Sequence, residues 1–412
     1  MRDSDSSRRA LMLLLTAAFA VNMLDRQILN ITLNDIGNEF NLSDLQLGSL
    51  SGFAFAIVFV AFGFPAARLA RQGNRKKMVI GAITIWSAMT AVTGVASNYL
   101  HLMLCRIGVA AGEGGFTPPA HAMVAESYPP ENRGAALSLF SAGANIGLFL
   151  SFLVGGIVAS LYGWRVAFFV AAMPGLVIAL LLFVFLREPI SVHSSADSRP
   201  GSQQFRGVAK TLLSNPSAKH AVFGAVLTAI VGAGAVAWVA TYLVRSHELS
   251  LAQAGIYLAV VVGIGGAVMS YLGGVWSDRL GLKSPQWRMK LMAIIILIAK
   301  PFAIAFYLLD HTTLALSLFV IPAMLGSVFT GPTFAHLYAR VKPEQRPLVT
   351  AIMMFLLNLI GLGLGPVIVG AISDGLASSA GTDSLRYALV IIQIAGIWGA
   401  VHYWIAGKHS EH

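Results

Sequence analysis

Two short segments, 213 residues apart, decide the fold of this chain: residues 130–133 read PENR, and residues 343–346 read PEQR. Each segment stands just before a long apolar run. Asn145 and Asn358, further into those two runs, keep the same spacing of 213 residues. Self-similarity at a fixed offset indicates that one structural unit occurs twice. We therefore predict that the two halves of the chain share one topology.

The composition is that of a membrane protein. Of the 412 residues, 56% are hydrophobic and only 11% are charged, whereas a soluble domain carries about a quarter charged residues. A bilayer-spanning helix needs roughly 20 apolar residues. Twelve runs of that kind are present, at residues 10–33, 46–67, 78–97, 101–125, 135–160, 165–187, 220–244, 253–276, 291–309, 313–336, 348–372 and 387–406. The chain is predicted to be an all-α membrane protein with 12 transmembrane helices.

One polar stretch, rich in serine, divides the twelve runs into six and six. It predicts an N-terminal six-helix bundle at residues 1–187, a cytoplasmic linker at 188–219 and a C-terminal six-helix bundle at 220–412. An even number of helices in each half makes the two copies parallel, so the bundles are pseudo-symmetric. Two such halves with a binding site near their interface are typical of secondary transporters.

The basic residues predict the orientation in the membrane. Of the 28 Lys and Arg residues, 22 fall in segments on the side of the N-terminus, three fall in the opposite loops, and Arg26, Arg106 and Lys300 lie inside apolar runs. Cytoplasmic segments carry such an excess. We expect both termini in the cytoplasm of a bacterial-type inner membrane. The net charge of +10 is then a topology signal, and nucleic-acid binding is not predicted.

No cofactor or metal site is predicted. Cys105 is the only cysteine, which excludes an intramolecular disulfide and a cysteine-based metal site. No His, Asp and Glu residues cluster at ligand spacing in the apolar runs. A membrane-embedded enzyme that modifies lipids would need a nucleophile or metal constellation of that kind, so it is the weaker alternative to a transporter.

The loop at residues 274–283 (GVWSDRLGLK) resembles the cytoplasmic loop motif of the major facilitator superfamily (MFS). Residues 67–77 (ARLARQGNRKK) occupy the same place in the first half. Within the superfamily, the chain looks most like the spinster-like (Spns) transporters. The residues behind that resemblance are Leu24-Asp25-Arg26 in helix 1, Asn74-Arg75-Lys76 after helix 2, Arg106, Gly112-Glu113-Gly114 and Pro118-Pro119 in helix 4, and Arg187-Glu188-Pro189 at the end of helix 6.

Two features depart from the related families. Arg71 stands where the superfamily motif usually has an aspartate, which puts a carboxylate latch on that side in doubt. Helix 5 carries several glycines but lacks the Gly-Pro pair of drug/proton antiporters, which argues against that class.

Two embedded acids are the predicted proton-coupling residues. Asp25 lies about 15 residues, or ~22 Å, into helix 1, and Glu113 lies in the middle of helix 4. A charge in hydrocarbon is costly and therefore indicates function. Such a carboxyl group can take a proton from one side of the membrane and release it to the other. The alternative is a permanent structural ion pair.

Two arginines are the predicted ligands for an anionic head group. Arg106 precedes Glu113 by seven residues, so both side chains project from nearly the same face of helix 4. Arg26 points about 100° away from its neighbour Asp25 and is expected to reach Glu113 or the substrate. An internal brace between arginine and carboxylate remains the alternative for both arginines.

Other positions have weaker assignments. Trp238, Tyr242 and Phe329 are interpreted as an amphipathic wall for the substrate, with ordinary packing as the alternative. A set of loop residues is assigned to conformational gating, with a role in topology as the alternative: Arg75, Arg133, Asp278, Arg279 and Arg346. Stripes of glycine such as residues 143–147 predict close helix packing, and Lys300 is expected to snorkel or to make a structural contact.

The resemblance implies a proton-coupled secondary active transporter that works by alternating access. Its expected partners are protons, the lipid bilayer and a small amphipathic or anionic substrate, with a lysophospholipid or sphingoid lipid as the first choice. The chain is expected to be monomeric. The alternative is an organic anion symporter of the same superfamily, driven by protons or by another cation.

Overall fold

The computed structural model describes residues 5–70, 74–129, 131–185 and 202–411, without the side chains of residues 5–7, 64, 202, 203 and 411. The regular structure of these ranges is entirely helical. Some positions singled out in the sequence lie outside the described residues: Pro130, residues 71–73 with Arg71, the Arg187-Glu188-Pro189 motif, and residues 188–201 of the expected linker.

Each predicted apolar run falls on one long helix of the described chain. Helices 1 to 6 are Asp5–Phe40, Asp44–Ser51 with Phe53–Leu69, Arg75–Thr93, Tyr99–Ser127, Arg133–Tyr162 and Trp164–Phe185. Helices 7 to 9 are Pro216–His247, Leu251–Leu258 with Ala259–Gly265 and Gly266–Lys283, and Pro285–Leu308. Helices 10 to 12 are Thr312–Leu325 with Thr330–Tyr338, Arg346–Leu356 with Leu357–Leu362 and Gly363–Ala380, and Ser384–Ile391 with Gln393–Lys408. The prediction of an all-α protein with twelve long helices is confirmed.

Two of these helices contain a π-helical segment, Ala259–Gly265 in helix 8 and Leu357–Leu362 in helix 11. Short 3₁₀ turns occur at Pro343–Gln345, Gly381–Asp383 and His409–Glu411.

Length and hydropathy alone select nine membrane spans among the described helices. Helices 11 and 12 count as one stretch, Pro343–Lys408. Helix 3 is not selected because it begins with three basic residues, and helix 4 is not selected because Arg106 and Glu113 lower its hydropathy. The buried charges that suggest a function in helix 4 thus also keep this helix below the hydropathy threshold for a membrane span.

The residues that the structure describes fall into two compact units. One comprises Met1–Ser194 together with Leu243–Gly263, and the other comprises Ser195–Tyr242 together with Ile264–His412. In the first unit, helix 1 packs on helix 5, while helices 2 and 3 pack on helix 4. In the second unit, helix 9 packs on helix 12. The division into two bundles and a linker remains a proposal.

Part of the expected linker is a helix, Ser202–Ser214. Its apolar residues Val208 and Leu212 are one turn apart and buried in the core of the second unit, whereas Arg206 and Lys210 are exposed. Apolar residues at a spacing of four on an otherwise polar segment are typical of an amphipathic helix. This part of the expected linker is therefore packed into the second unit and is not only a connecting segment.

The two halves also share a helix start that we did not predict. Ser43 precedes helix 2, and Ser250 precedes helix 8. Each serine hydroxyl accepts a hydrogen bond from the backbone N–H three residues later, while the side chain of that residue, Gln46 or Gln253, accepts one from the serine N–H. This reciprocal capping box satisfies two backbone donors that the helix itself leaves unpaired. Ser-x-x-Gln is therefore one more element of the repeat.

The first unit includes the last residues of helix 7 and the first part of helix 8. Arg245 donates hydrogen bonds to Asn34 at 2.9 Å and to both carboxylate oxygens of Asp44 at 2.9 and 3.1 Å. A Cβ on Gly156 of helix 5 would lie 2.6 Å from the carbonyl oxygen of Leu251. Residues 243–263 are thus held to helices 1, 2 and 5 by an ion pair and by close backbone contact.

Lys300 makes a structural contact between helices 9 and 12. Its ammonium group donates a hydrogen bond to the side-chain oxygen of Gln393 at 2.8 Å. A Cβ on Gly396 would lie 2.5 Å from Cε of Lys300, which is closer than real atoms approach. A side chain at residue 396 would therefore displace the flexible end of Lys300 from this position.

The glycine stripe of helix 5 packs closely, as predicted, and the helix that it contacts is helix 1. A Cβ on Gly143 would lie 2.5 Å from the carbonyl oxygen of Thr16, and a Cβ on Gly147 would overlap the carbonyl oxygen of Ala20. Small residues of this kind let helix backbones approach closely in membranes.

We expect Gly147→Ala to destabilise the protein by about 1–3 kcal/mol, because overpacking forces a backbone shift. Gly134→Ala, on the same helix, is the matched control, since nothing lies within 4 Å of the added methyl group. Thermal unfolding in detergent measures both. Equal melting temperatures for the two variants would contradict the close contact.

Candidate functional site

Asp25 is buried on helix 1 without a cationic partner. Its side chain is 1% exposed, and one carboxylate oxygen accepts a hydrogen bond from the Thr90 hydroxyl of helix 3 at 3.2 Å. The other oxygen has no hydrogen-bond partner in the part of the chain that the structure describes. No Lys, Arg or His there lies within ion-pair distance of Asp25. A buried carboxyl group with so few partners is a natural place for a proton.

Arg26 pairs with Glu113, which is one of the two partners expected for it, and this pair is also the internal brace that was the alternative. Its Nε and Nη2 atoms donate to one carboxylate oxygen of Glu113 at 3.0 and 2.7 Å. Glu113 is fully buried, and its second oxygen has no hydrogen-bond partner among the described residues. The pair joins helix 1 to helix 4 inside the first unit.

The glycines on both sides of Glu113 bring two helices against it. A Cβ on Gly112 would lie 2.7 Å from the backbone nitrogen of Trp86 in helix 3, and a Cβ on Gly114 would lie 2.5 Å from the carbonyl oxygen of Phe59 in helix 2. Both backbones can therefore close over the acid. This close packing explains why Glu113 is flanked by glycine.

Arg106 lies beside the ion pair and bonds to backbone oxygens. Its Nε donates to the carbonyl of Leu50 at 3.2 Å, and its Nη2 donates to the carbonyl of Arg26 at 3.1 Å. The Phe55 ring lies 4.5 Å from the Arg106 guanidinium and 4.8 Å from that of Arg26, and Phe59 lies 4.7 Å from the latter. Cation–π contacts stabilise a desolvated guanidinium without neutralising it. Among the described residues, Arg106 thus has carbonyl and aromatic partners but no ion pair.

Several buried polar atoms around this cluster have no partner in the described residues. In addition to the carboxylate oxygens named above, they are both side-chain polar atoms of Asn22 and the indole nitrogen of Trp86. A cavity of about 10 Å³ borders Asp25, Thr90 and Arg106, which is enough for about one water molecule. Buried polar groups are nearly always hydrogen-bonded in proteins. Such a concentration of exceptions marks this cluster as the candidate site.

The expected aromatic wall lies within the second unit. Trp238 and Tyr242 are fully buried. The indole N–H of Trp238 donates to the carbonyl of Pro366 at 2.9 Å, and the Tyr242 hydroxyl bonds to the carbonyls of Phe306 and Tyr307. Phe329 is half-buried and packs on the core of the same unit. These contacts are those of packed side chains, and a role for the three residues in substrate binding remains a prediction.

The residues assigned to gating lie at helix ends. Arg75 pairs with Glu126 at the end of helix 4 and also donates to the carbonyl of Ala70. Arg133 donates to the carbonyl of Tyr128 at 3.1 Å. Asp278 pairs with Arg288 of helix 9 at 3.3 Å, which is the predicted type of contact with a neighbouring helix. Arg279 and Arg346 are exposed. Their effect on conformation remains a prediction.

Phe55, Phe59 and Thr90 belong to the site but were not predicted. Threonine and phenylalanine are common in the apolar runs of this sequence, so the sequence does not distinguish these three residues from the others. The useful signal in the sequence would have been Gly52, because glycine inside an apolar run can interrupt a helix. In the structure it separates Asp44–Ser51 from Phe53–Leu69, and the carbonyl of Leu50, next to this break, accepts a hydrogen bond from Arg106.

A double-mutant cycle tests the ion pair. We expect Arg26→Gln and Glu113→Gln each to lower the free energy of unfolding by about 3 kcal/mol, because each leaves a buried charge without its partner. The loss of unfolding free energy in the double variant should be clearly smaller than the sum of the losses in the two single variants. Unfolding in sodium dodecyl sulfate measures all three variants. The control combines Arg26→Gln with Asp35→Asn, which removes a carboxylate elsewhere on helix 1. The losses of unfolding free energy from these two substitutions should add. Additivity at both pairs would contradict the interaction.

Comparison with known proteins agrees with the resemblance noted in the sequence. The profile of the Major Facilitator Superfamily matches residues 15–366. The chain is 29% identical to an MFS-type efflux pump of Mycolicibacterium smegmatis, over 94% of this chain and 89% of the pump. It is 25% identical to a hexuronate transporter of Bacillus subtilis, over 92% and 91%.

A solved structure shares the whole fold. It is the crystal structure of a bacterial homolog of the human lysosomal transporter Spinster in an inward-facing and unoccupied conformation. The TM-score is 0.89 at 27% sequence identity, and the match covers 99% of this chain and 98% of that one. With the family profile spanning most of its length, this multi-pass membrane protein belongs to the Major Facilitator Superfamily of transporters, and its structural neighbours include the bacterial spinster homolog.

Proposed function

We propose that the chain is a proton-coupled secondary transporter for an amphipathic molecule with an anionic head group, and that it works by alternating access. The observation that carries this proposal is Asp25, which is buried without a cationic partner beside the Arg26–Glu113 pair. Asp25 and Glu113 are the proposed proton sites, and Arg26 and Arg106 the proposed ligands for the head group.

The charges of the cluster link the proton to the substrate. Two guanidinium groups and two ionised carboxylates sum to zero. One proton on either acid leaves a net positive charge in a buried site, which is costly unless an anion binds as well. A proton on Glu113 also weakens its hold on Arg26 and so frees that guanidinium for the substrate. Proton and anion therefore bind together, as in a symporter.

This linkage drives transport only if the loaded and empty clusters favour different conformations. With both acids ionised, Arg26 holds helix 1 to helix 4 through Glu113. With a proton and an anion bound, the same guanidinium bonds to the substrate instead. We propose that this exchange of partners biases the side on which the transporter opens, with the helix-end residues Arg75, Arg133, Asp278, Arg279 and Arg346 as gating contacts.

A lysophospholipid or sphingoid lipid is the first choice of substrate. The rings of Phe55 and Phe59 line the guanidinium groups, so charge and apolar surface lie side by side, as in an amphipathic molecule. The likeness to a spinster homolog supports the same choice.

A small organic anion is the second candidate. Arg26 and Arg106 are neighbours, and a pair of guanidinium groups suits a carboxylate as well as a phosphate. One relative is named a hexuronate transporter. For either substrate we propose a monomer in a bacterial inner membrane with both termini in the cytoplasm, on the basis of the distribution of basic residues.

The role of Asp25 is tested with Asp25→Asn in proteoliposomes. Asparagine imitates the protonated acid, so we expect uptake driven by a proton gradient to fall to background while substrate exchange without a gradient continues. Asp35→Asn is the matched control on the same helix and should retain both activities. Normal gradient-driven uptake by Asp25→Asn would contradict the assignment.

The class of substrate is tested by proton flux with two series of compounds. For a lipid-like substrate, we expect flux to rise with the acyl chain length of a lysophospholipid, since each buried CH₂ contributes about 0.8 kcal/mol to binding. Flux with hexuronates alone, independent of apolar length, would favour the small organic anion. Arg106→Gln should weaken binding in either case, and unchanged binding would exclude Arg106 as a ligand.

A further inference from the structure

A second cavity, unrelated to the Asp25–Glu113 site, lies where helices 1, 4 and 5 meet in the first unit. Its volume is about 400 Å³, within the range of roughly 300–1,000 Å³ of small-molecule sites. Arg8 and Arg9 of helix 1 border it on one side, and Tyr128 and Asn132, which lie between helices 4 and 5, border it on the other. We call it the basic cleft.

The polar wall of the basic cleft is suited to an anion. The Arg8 guanidinium lies over the Tyr128 ring, 5.7 Å from its centroid, so the ring holds the cation at the edge of the cavity. Arg9 is exposed and makes no ion pair with a described side chain. Guanidinium, phenol and amide groups together offer several donors to the oxygens of a phosphate group.

The remaining wall is apolar. Met12, Ala135 and Leu139 line it, and Leu139 is 55% exposed. Leu13, next to Met12, is 69% exposed. These exposed apolar side chains lie on helices that are predicted to span the membrane, so they offer apolar surface to an acyl chain. The cleft thus combines a cationic end with an apolar side that continues onto the surface of the helices.

The predicted topology puts this end of the protein at the cytoplasmic surface of the bilayer. An excess of basic residues on that side is a general property of membrane proteins. The excess alone does not require the two arginines to border a cavity, nor one of them to stack on a tyrosine. Basic pockets between transmembrane helices on this side do bind acidic lipid head groups.

We propose that the basic cleft binds the phosphate group of an anionic phospholipid from the cytoplasmic leaflet. Arg8 and Arg9 bind the phosphate oxygens, Tyr128 and Asn132 donate further hydrogen bonds, and the first part of an acyl chain lies along Leu139. The site holds a head group and not a transported molecule, so it needs neither Asp25 nor a proton gradient.

Native mass spectrometry of the purified full-length chain, in a neutral maltoside detergent, tests the proposal with phosphatidylglycerol and phosphatidylcholine as probes. We expect phosphatidylglycerol to bind more tightly. Arg8→Gln with Arg9→Gln should weaken it roughly tenfold or more, given about fivefold for each basic residue near an acidic lipid. The matched control is Arg206→Gln with Lys210→Gln, which removes the same charge from the linker helix and should bind like the wild type.

A variant that keeps every charge tests whether lipid binding needs the cavity itself or only the electrostatic attraction of the basic residues. Ala135→Trp should fill the basic cleft and also weaken binding of phosphatidylglycerol. If that variant is not monodisperse, Tyr128→Leu takes its place, with the same expectation. Unchanged binding by the double arginine variant, or an equal loss in the control, would overturn the site. Displacement of the lipid by glycerol 3-phosphate at equal concentration would overturn its assignment to a lipid.

Discussion

The contact between Arg26 and Glu113 constrains the helices around it, because a single charge in hydrocarbon is far more costly than a pair. The acid must lie where the guanidinium can reach it, which fixes the facing sides of helices 1 and 4. It must also be shielded from lipid, and the glycines at 112 and 114 let helices 2 and 3 close over it. The packing of four helices thus follows from one ion pair.

The same constraint accounts for the chemistry of the site. Because Glu113 takes the Arg26 guanidinium, the described residues offer Asp25 only a hydroxyl partner and Arg106 only carbonyl and aromatic partners. With both acids ionised, the four charges of the cluster sum to zero, but only two of them form an ion pair. In the proposed cycle, a proton and an anion would therefore meet partners that are already in place.

The sequence predicted the helices and the membrane setting, and it named Glu113 as one of two possible partners of Arg26, because embedded charges and long apolar runs are conspicuous and a repeat fixes their order. It did not predict Phe55 or Thr90, since one phenylalanine or threonine among many becomes distinctive only when a neighbouring helix brings a charge against it. Trp238 and Tyr242 show the reverse: they were conspicuous in the sequence, yet their polar atoms are bonded to backbone carbonyls inside the second unit.

The contact between Lys300 and Gly396 has a consequence for the evolution of the chain. The end of the lysine side chain occupies space that a side chain at 396 would need, so such a side chain would move the ammonium group and disturb its hydrogen bond to Gln393. A relative with a large residue at the position of Gly396 is expected to carry a smaller, uncharged residue in place of Lys300. Substitutions at these two sites, 96 residues apart, should therefore be correlated across the family.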